Sequence, residues 1–134
     1  LLQRLGLPPR FNYGWYIRGP YSTELARTGF EMQSIYKDAD KRRRIINPIA
    51  EKHKILVNRA KELFNAVDKL GENNSYWYEL ISSLLFLKFY THPPPKSKEE
   101  IFSLLEEKKL NKFPEEDKER AMECIGRYVP LNLE

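Results

Sequence analysis

Ser75-Tyr76-Trp77-Tyr78-Glu79-Leu80-Ile81-Ser82-Ser83-Leu84-Leu85-Phe86-Leu87-Lys88-Phe89-Tyr90 is the stretch that decides the fold class. Trp77, Leu80, Ile81, Leu84, Leu85 and Lys88 recur at the spacing of one helical face. Phe86, Leu87 and Phe89 add apolar bulk beyond that face. A helix this apolar around its circumference belongs at the centre of a domain, covered on more than one side. Ser75 is the predicted cap. Full burial of each large side chain is worth roughly 1.5–3 kcal/mol, so loss of Leu84 or Leu85 is expected to harm folding more than loss of any exposed arginine. Glu79, Ser82, Ser83 and Lys88 interrupt the run, which is too short and too polar for a membrane span. The Ser82-Ser83 pair is expected to let a neighbour approach closely.

Working outward toward the C-terminus, Thr91-His92-Pro93-Pro94-Pro95-Lys96 stops this helix and predicts an extended path. Ser97 followed by Glu100 is a capping-box pattern and starts a second helix, with Ile101, Leu104 and Leu105 as its apolar face. Phe113-Pro114-Glu115-Glu116 opens a third, with proline in the first turn and acids behind it. Ala121, Met122, Ile125 and Cys124 are expected to face inward, and Gly126 or Val129-Pro130 to end it.

Toward the N-terminus, Gly71 stops a predicted helix that begins at Pro48 and runs to Leu70, with Asn58 as a point of weakness. Ile49, Lys52 and His53, Leu56, Ala60, Leu63, Phe64, Val67 and Leu70 form its stripe. Asp38 to Arg44 is polar and basic. Phe11 to Ile17 is aromatic and reads as a short strand or extended segment laid over helices, ended by a turn at Gly19-Pro20. Ser22 or Thr23 caps a short helix in which Glu24 suits the first turn, Leu25, Thr28 and Met32 share a side, and Gly29 weakens continuity. Leu1 to Gly6 reads as the end of a helix, and Pro8-Pro9 as an extended path. The expected architecture is mainly α: one compact multi-helix domain over residues 1–134 with a short extended aromatic N-terminal segment. The opening at Leu1 without methionine makes truncation of a leading helix an expectation.

Charge is regional. Between Lys37 and Lys61 nine Lys/Arg face three Asp/Glu, whereas the rest carries 14 against 16. The net +4 therefore resides in one segment. Cys124 is the single cysteine, which excludes an intramolecular disulfide and favours a reducing, cytoplasmic setting.

No catalytic pattern emerges. His53 and His92 are isolated and no paired cysteines exist, so zinc is not expected. Cys124 sits in a helical stripe beside Met122 and Ile125, as a core thiol does. Ser22, Ser82 and Ser83 lack the strand-turn-helix setting of an activated serine. The six glycines form no phosphate loop. No cofactor is implied.

Two features remain for binding. Lys41-Arg42-Arg43-Arg44 can contact phosphates or an acidic protein, and Lys52, His53, Lys54, Arg59 and Lys61 extend the patch on the following helix. Tyr13, Trp15, Tyr16 and Tyr21 can stack on bases, anchor a protein partner, or cover a small core. Trp15 and Tyr16 are the aromatic candidates.

The segment Tyr13-Gly14-Trp15-Tyr16-Ile17-Arg18-Gly19-Pro20-Tyr21-Ser22-Thr23-Glu24-Leu25 resembles one in the small YwgA-like bacterial and archaeal proteins, and more distantly the Panacea domain of SocA-like antitoxins. Gly19-Pro20 and Leu25, with Tyr16 as the preceding aromatic, carry the likeness. Trp77 to Tyr90 and Leu105 to Ala121 resemble the same families' later helices. The resemblance implies a helical, non-enzymatic module with a protein partner. The expectation is thus a non-catalytic regulatory or adaptor domain that binds a macromolecule, protein ahead of nucleic acid. The alternatives are a nucleic-acid-binding domain using residues 41–61 and a hydrolase whose site is assembled from distant residues. Homodimerisation would bury any surplus apolar surface.

Overall fold

The apolar run is central in the structure as well. The computed structural model describes residues 11–17, 19–38, 40 and 51–133, apart from the side chains of residues 36, 51 and 52. Helix α1 spans Thr23–Lys37, α2 Glu51–Asp68, α3 Asn74–Tyr90, α4 Lys98–Lys109 and α5 Glu115–Gly126. Ahead of them β1 (Gly14–Tyr16) and β2 (Gly19–Tyr21) form an antiparallel hairpin. Helix α3 packs against α2, α4, α5 and β2. Its Leu80, Ile81 and Leu87 are fully enclosed. Around them close Leu63 and Val67 of α2, Ile101 and Leu105 of α4, and Ala121 and Ile125 of α5. A helix surrounded in this way has no solvent face to keep polar, which is why its apolar residues spread beyond one stripe.

The caps follow local chemistry. Ser22 accepts from the Leu25 amide at 3.2 Å, and Ser97 from that of Glu100 at 3.3 Å. The Glu100 carboxylate reaches back to the amide of Lys96, one residue before the cap. Asn73, rather than Ser75, caps α3, its side chain accepting from the Tyr76 amide at 3.2 Å. Pro114 is the N-cap of α5 rather than its first helical residue. Helix α1 passes unbroken through Gly29, and α2 through Asn58. Neither residue forbids helical backbone; each only disfavours it by about 1 kcal/mol or less.

Gly19-Pro20 corrects the sequence reading more substantially. These residues do not end the extended segment; they begin β2, with Tyr16 paired to Gly19, Trp15 to Pro20 and Gly14 to Tyr21. Proline is tolerated there because Trp15–Pro20 is the pair that exchanges no hydrogen bonds. Gly19 has φ +119°, which favours glycine, and it is buried against α3. A Cβ on Gly19 would stand 3.3 Å from Ser83 Oγ. Ser83 thus provides the close approach expected of the serine pair, with the hairpin as the neighbour.

The expected helix end at Leu1–Gly6, the Pro8-Pro9 step and the helix start at Pro48 lie outside the described residues. No helix among the described residues is long and apolar enough to cross a membrane.

Candidate functional site: the hairpin face

The hairpin is pinned from behind and open in front. Trp15 packs its ring against Phe86 of α3 with centroids 5.6 Å apart. The ammonium groups of Lys108 and Lys109 lie 5.4 and 5.3 Å from the centre of the same ring. Tyr13 meets Tyr90 edge-on, and Tyr90 stacks on Phe86. This aromatic column fastens β1 to α3. Lys109, nearly enclosed, donates to Glu79 at 2.9 Å, and Lys112 donates to the other oxygen at 2.7 Å. Burial opposes the charge on Glu79, but the hydrogen bonds from Lys112 and Lys109 more than offset it and hold the carboxyl below its ordinary pKa.

The outward side is different. Tyr16 and Tyr21 lie diagonally across the strands with ring centroids 5.6 Å apart. Tyr16 is 60% exposed, Tyr21 47% and the adjoining Ile17 84%. Leu25, in the first turn of α1, is 42% exposed, and Phe30 further along is 74% exposed on another side of that helix. Of the seven large hydrophobic side chains exposed among the described residues, Tyr16, Ile17, Tyr21 and Leu25 belong to the hairpin and the adjoining first turn of α1. Between hairpin and α1 opens a cleft of about 420 Å³, lined by Asn12, Tyr13, Gly14, Trp15, Tyr16, Tyr21, Thr23 and Glu24. Glu24 Oε2 accepts the Asn12 amide at 3.2 Å, which ties the strand approach to the helix start.

The expected site residues separate into three groups. Trp15 is half-buried and packs on the core, whereas Tyr16 on the same strand faces out. Lys54 is exposed on α2, as are Arg59 and Lys61; Lys52 belongs to α2, but its side chain is outside the described residues. Lys41, Arg42, Arg43 and Arg44 also lie outside them. Sequence reasoning passed over Ile17 and Glu24 as members of this face. The exposure of Phe30, on another side of α1, had a legible signal, since it breaks the pattern of the stripe formed by Leu25, Thr28 and Met32.

Other reactive groups belong to the framework. Burial raises the pKa of the Cys124 thiol, so it lacks the ready thiolate of a nucleophile. Lys118 is enclosed, yet two carboxylates, Glu106 and Glu115, hold its ammonium over the Phe102 ring. Burial works against its charge, and the paired carboxylates outweigh burial, so its pKa is raised. Among the described residues no group of three or more His, Cys, Asp or Glu is placed to hold a metal ion. Comparison of the chain with protein-family models, with curated proteins and with solved structures yields no match.

Proposed function

We propose that this domain is a non-catalytic regulatory or adaptor module that docks a protein through the hairpin face. The observation that carries the reading is the exposure of Tyr16 and Tyr21 in the lining of one cleft, with exposed Ile17 and Leu25 next in sequence to its lining residues Tyr16 and Glu24, while the opposite side of the hairpin is anchored in the core. Tyrosine is favoured at protein interfaces because one ring supplies apolar area, a polar tip and little lost freedom. A rigid backing matters equally, since a preorganised surface loses less entropy on binding.

The test is capture of partners from an extract of the source cells on the immobilised chain. A Tyr16→Ala/Ile17→Ser/Leu25→Ser variant, checked for unchanged helicity by circular dichroism, serves as the comparison. A partner held by the wild type and released by the folded variant is the expected result. Equal retention by both would remove the hairpin face from the function.

A second reading has its own observation. Lys54 and Lys61 are exposed seven residues apart, and so on one side of α2, with Arg59 exposed nearby. Phosphate contacts by this helix would give binding to labelled DNA or RNA that weakens steeply with salt. Anisotropy titrations of the wild type and a Lys54→Glu/Lys61→Glu variant decide it: salt-dependent binding lost in the variant would favour nucleic acid over protein.

A further inference from the structure

We propose that the cleft above Gly14 receives a lysine or arginine side chain carried by an extended segment of the protein partner. The proposal rests on the protein-docking reading and specifies its chemistry.

Three features of the cleft converge on such a ligand. Its lining includes Tyr16 and Tyr21, whose exposed rings present faces that attract cations. Tyr13 and Trp15 also line it, but Tyr13 is engaged by Tyr90 and the Trp15 ring already carries the ammonium groups of Lys108 and Lys109, so Tyr16 and Tyr21 are the rings available to a guest. Among the described residues Glu24 supplies the one carboxylate in the lining, and no lysine, arginine or histidine lines the cleft with it. A carboxylate offers about four acceptor positions; the Asn12 amide uses one on Oε2 and orients the group, and others remain for a guanidinium or ammonium. Gly14 adds no side chain to the lining, and a Cβ there would meet nothing within 4 Å.

The backbone indicates why the ligand is extended. Pro20 has no N–H, so Trp15–Pro20 is the non-hydrogen-bonded pair and Trp15 turns its amide and carbonyl toward the outer edge of β1. An extended segment pairing at that edge would use these two groups. With side chains alternating along it, such a segment delivers every second one to a single side. A basic side chain on that side would cross the tyrosine rings toward Glu24.

The full chain, labelled with ¹⁵N, is to be titrated with the peptide acetyl-Gly-Thr-Arg-Thr-Gly-amide and with its citrulline counterpart, which keeps the shape and removes the charge. Saturable shifts are expected at Gly14, Tyr21 and Glu24, with the arginine peptide bound about tenfold more tightly than the citrulline peptide. Glu24→Gln retains an oxygen for the Asn12 amide and should weaken the arginine peptide by about threefold to fivefold. Equal affinity for the two peptides, indifference to Glu24→Gln, shifts confined to other surfaces, or no saturation up to about 10 mM would each overturn the assignment. If partner capture depends on Tyr16 and Leu25 but is indifferent to Glu24→Gln, the basic-side-chain assignment falls while the docking reading stands. If the peptides bind as expected but the Tyr16/Ile17/Leu25 variant retains every partner, the reverse holds.

Discussion

Helices α1 and α3 are of similar length, 15 and 17 residues, yet they are held in place by different means. Helix α3 buries Trp77, Leu80, Ile81, Ser83, Leu84, Leu85 and Leu87. None of the described side chains of α1 is buried; Leu25 and Phe30 are exposed, and Ala26, Thr28, Met32 and Ile35 are only partly covered. Among the described residues, its start is held where buried Ser22 caps the first turn and Glu24 accepts the Asn12 amide. A helix of this length is marginal in water without tertiary packing. The contrast assigns stability to one end of the molecule and leaves apolar surface exposed at the other.

The largest effect that would sharpen this contrast comes from cavities. Leu84→Ala in α3 should cost about 2–5 kcal/mol in urea unfolding. Leu25→Ala in α1 should cost about 0.5 kcal/mol or less, as surface changes do. Comparable losses at both positions would break the distinction. Gly71→Ala ranks next. A Cβ there would stand 2.5 Å from Trp77 Nε1, so the α2–α3 junction must shift, at a cost of about 1–3 kcal/mol.

Glu79→Gln tests the joint between hairpin and core. It leaves nearly enclosed Lys109 without its charged partner, and about 1–3 kcal/mol should be lost at neutral pH. The sign of the pH dependence follows from the lowered carboxyl pKa. Stabilisation by ionised Glu79 is fully present above the ordinary glutamate value and is lost as the pH falls through the lowered one. Unfolding curves of wild type and variant should therefore converge in acid. A constant gap between them would separate the effect from ionisation.

The smallest effect is local. Ser22→Ala removes the cap of α1 and should cost that helix about 1 kcal/mol. Hydrogen exchange should quicken in the first turns of α1 while the most protected amides of α3 hold their rates. Uniform acceleration throughout would mean that α1 and the core open as one unit.

How much of this was legible depended on distance along the chain. The apolar breadth of Trp77–Tyr90, the pairing of Ser97 with Glu100, and the inward set Ala121, Met122, Cys124 and Ile125 could be read directly, because helical periodicity and capping act within a few residues. Adjacent competitors were harder to rank. Asn73 and Ser75 are both good caps, and only the actual first turn separates them. Trp15 and Tyr16 carry the same signal in sequence, yet strand alternation sends one to Phe86 and the other to solvent. The Gly-Pro step reads as a turn until its register with Tyr16 and Trp15 makes it a strand.

By itself the sequence determined the helical class, the central helix, the core thiol and several helix ends, since each follows from the backbone preferences and spacing of near neighbours. Tertiary structure alone decided which lysine would be enclosed, which tyrosine would face out, and that Gly71 must leave room for Trp77. It also decided that Arg120 would reach the Leu70 carbonyl at the end of α2 and lie over Trp77. Those outcomes depend on groups brought together from distant parts of the chain. Lys118 is buried because Glu106 and Glu115 converge on it, and the hairpin cleft exists because Phe86 and the α4 lysines hold Trp15 from behind.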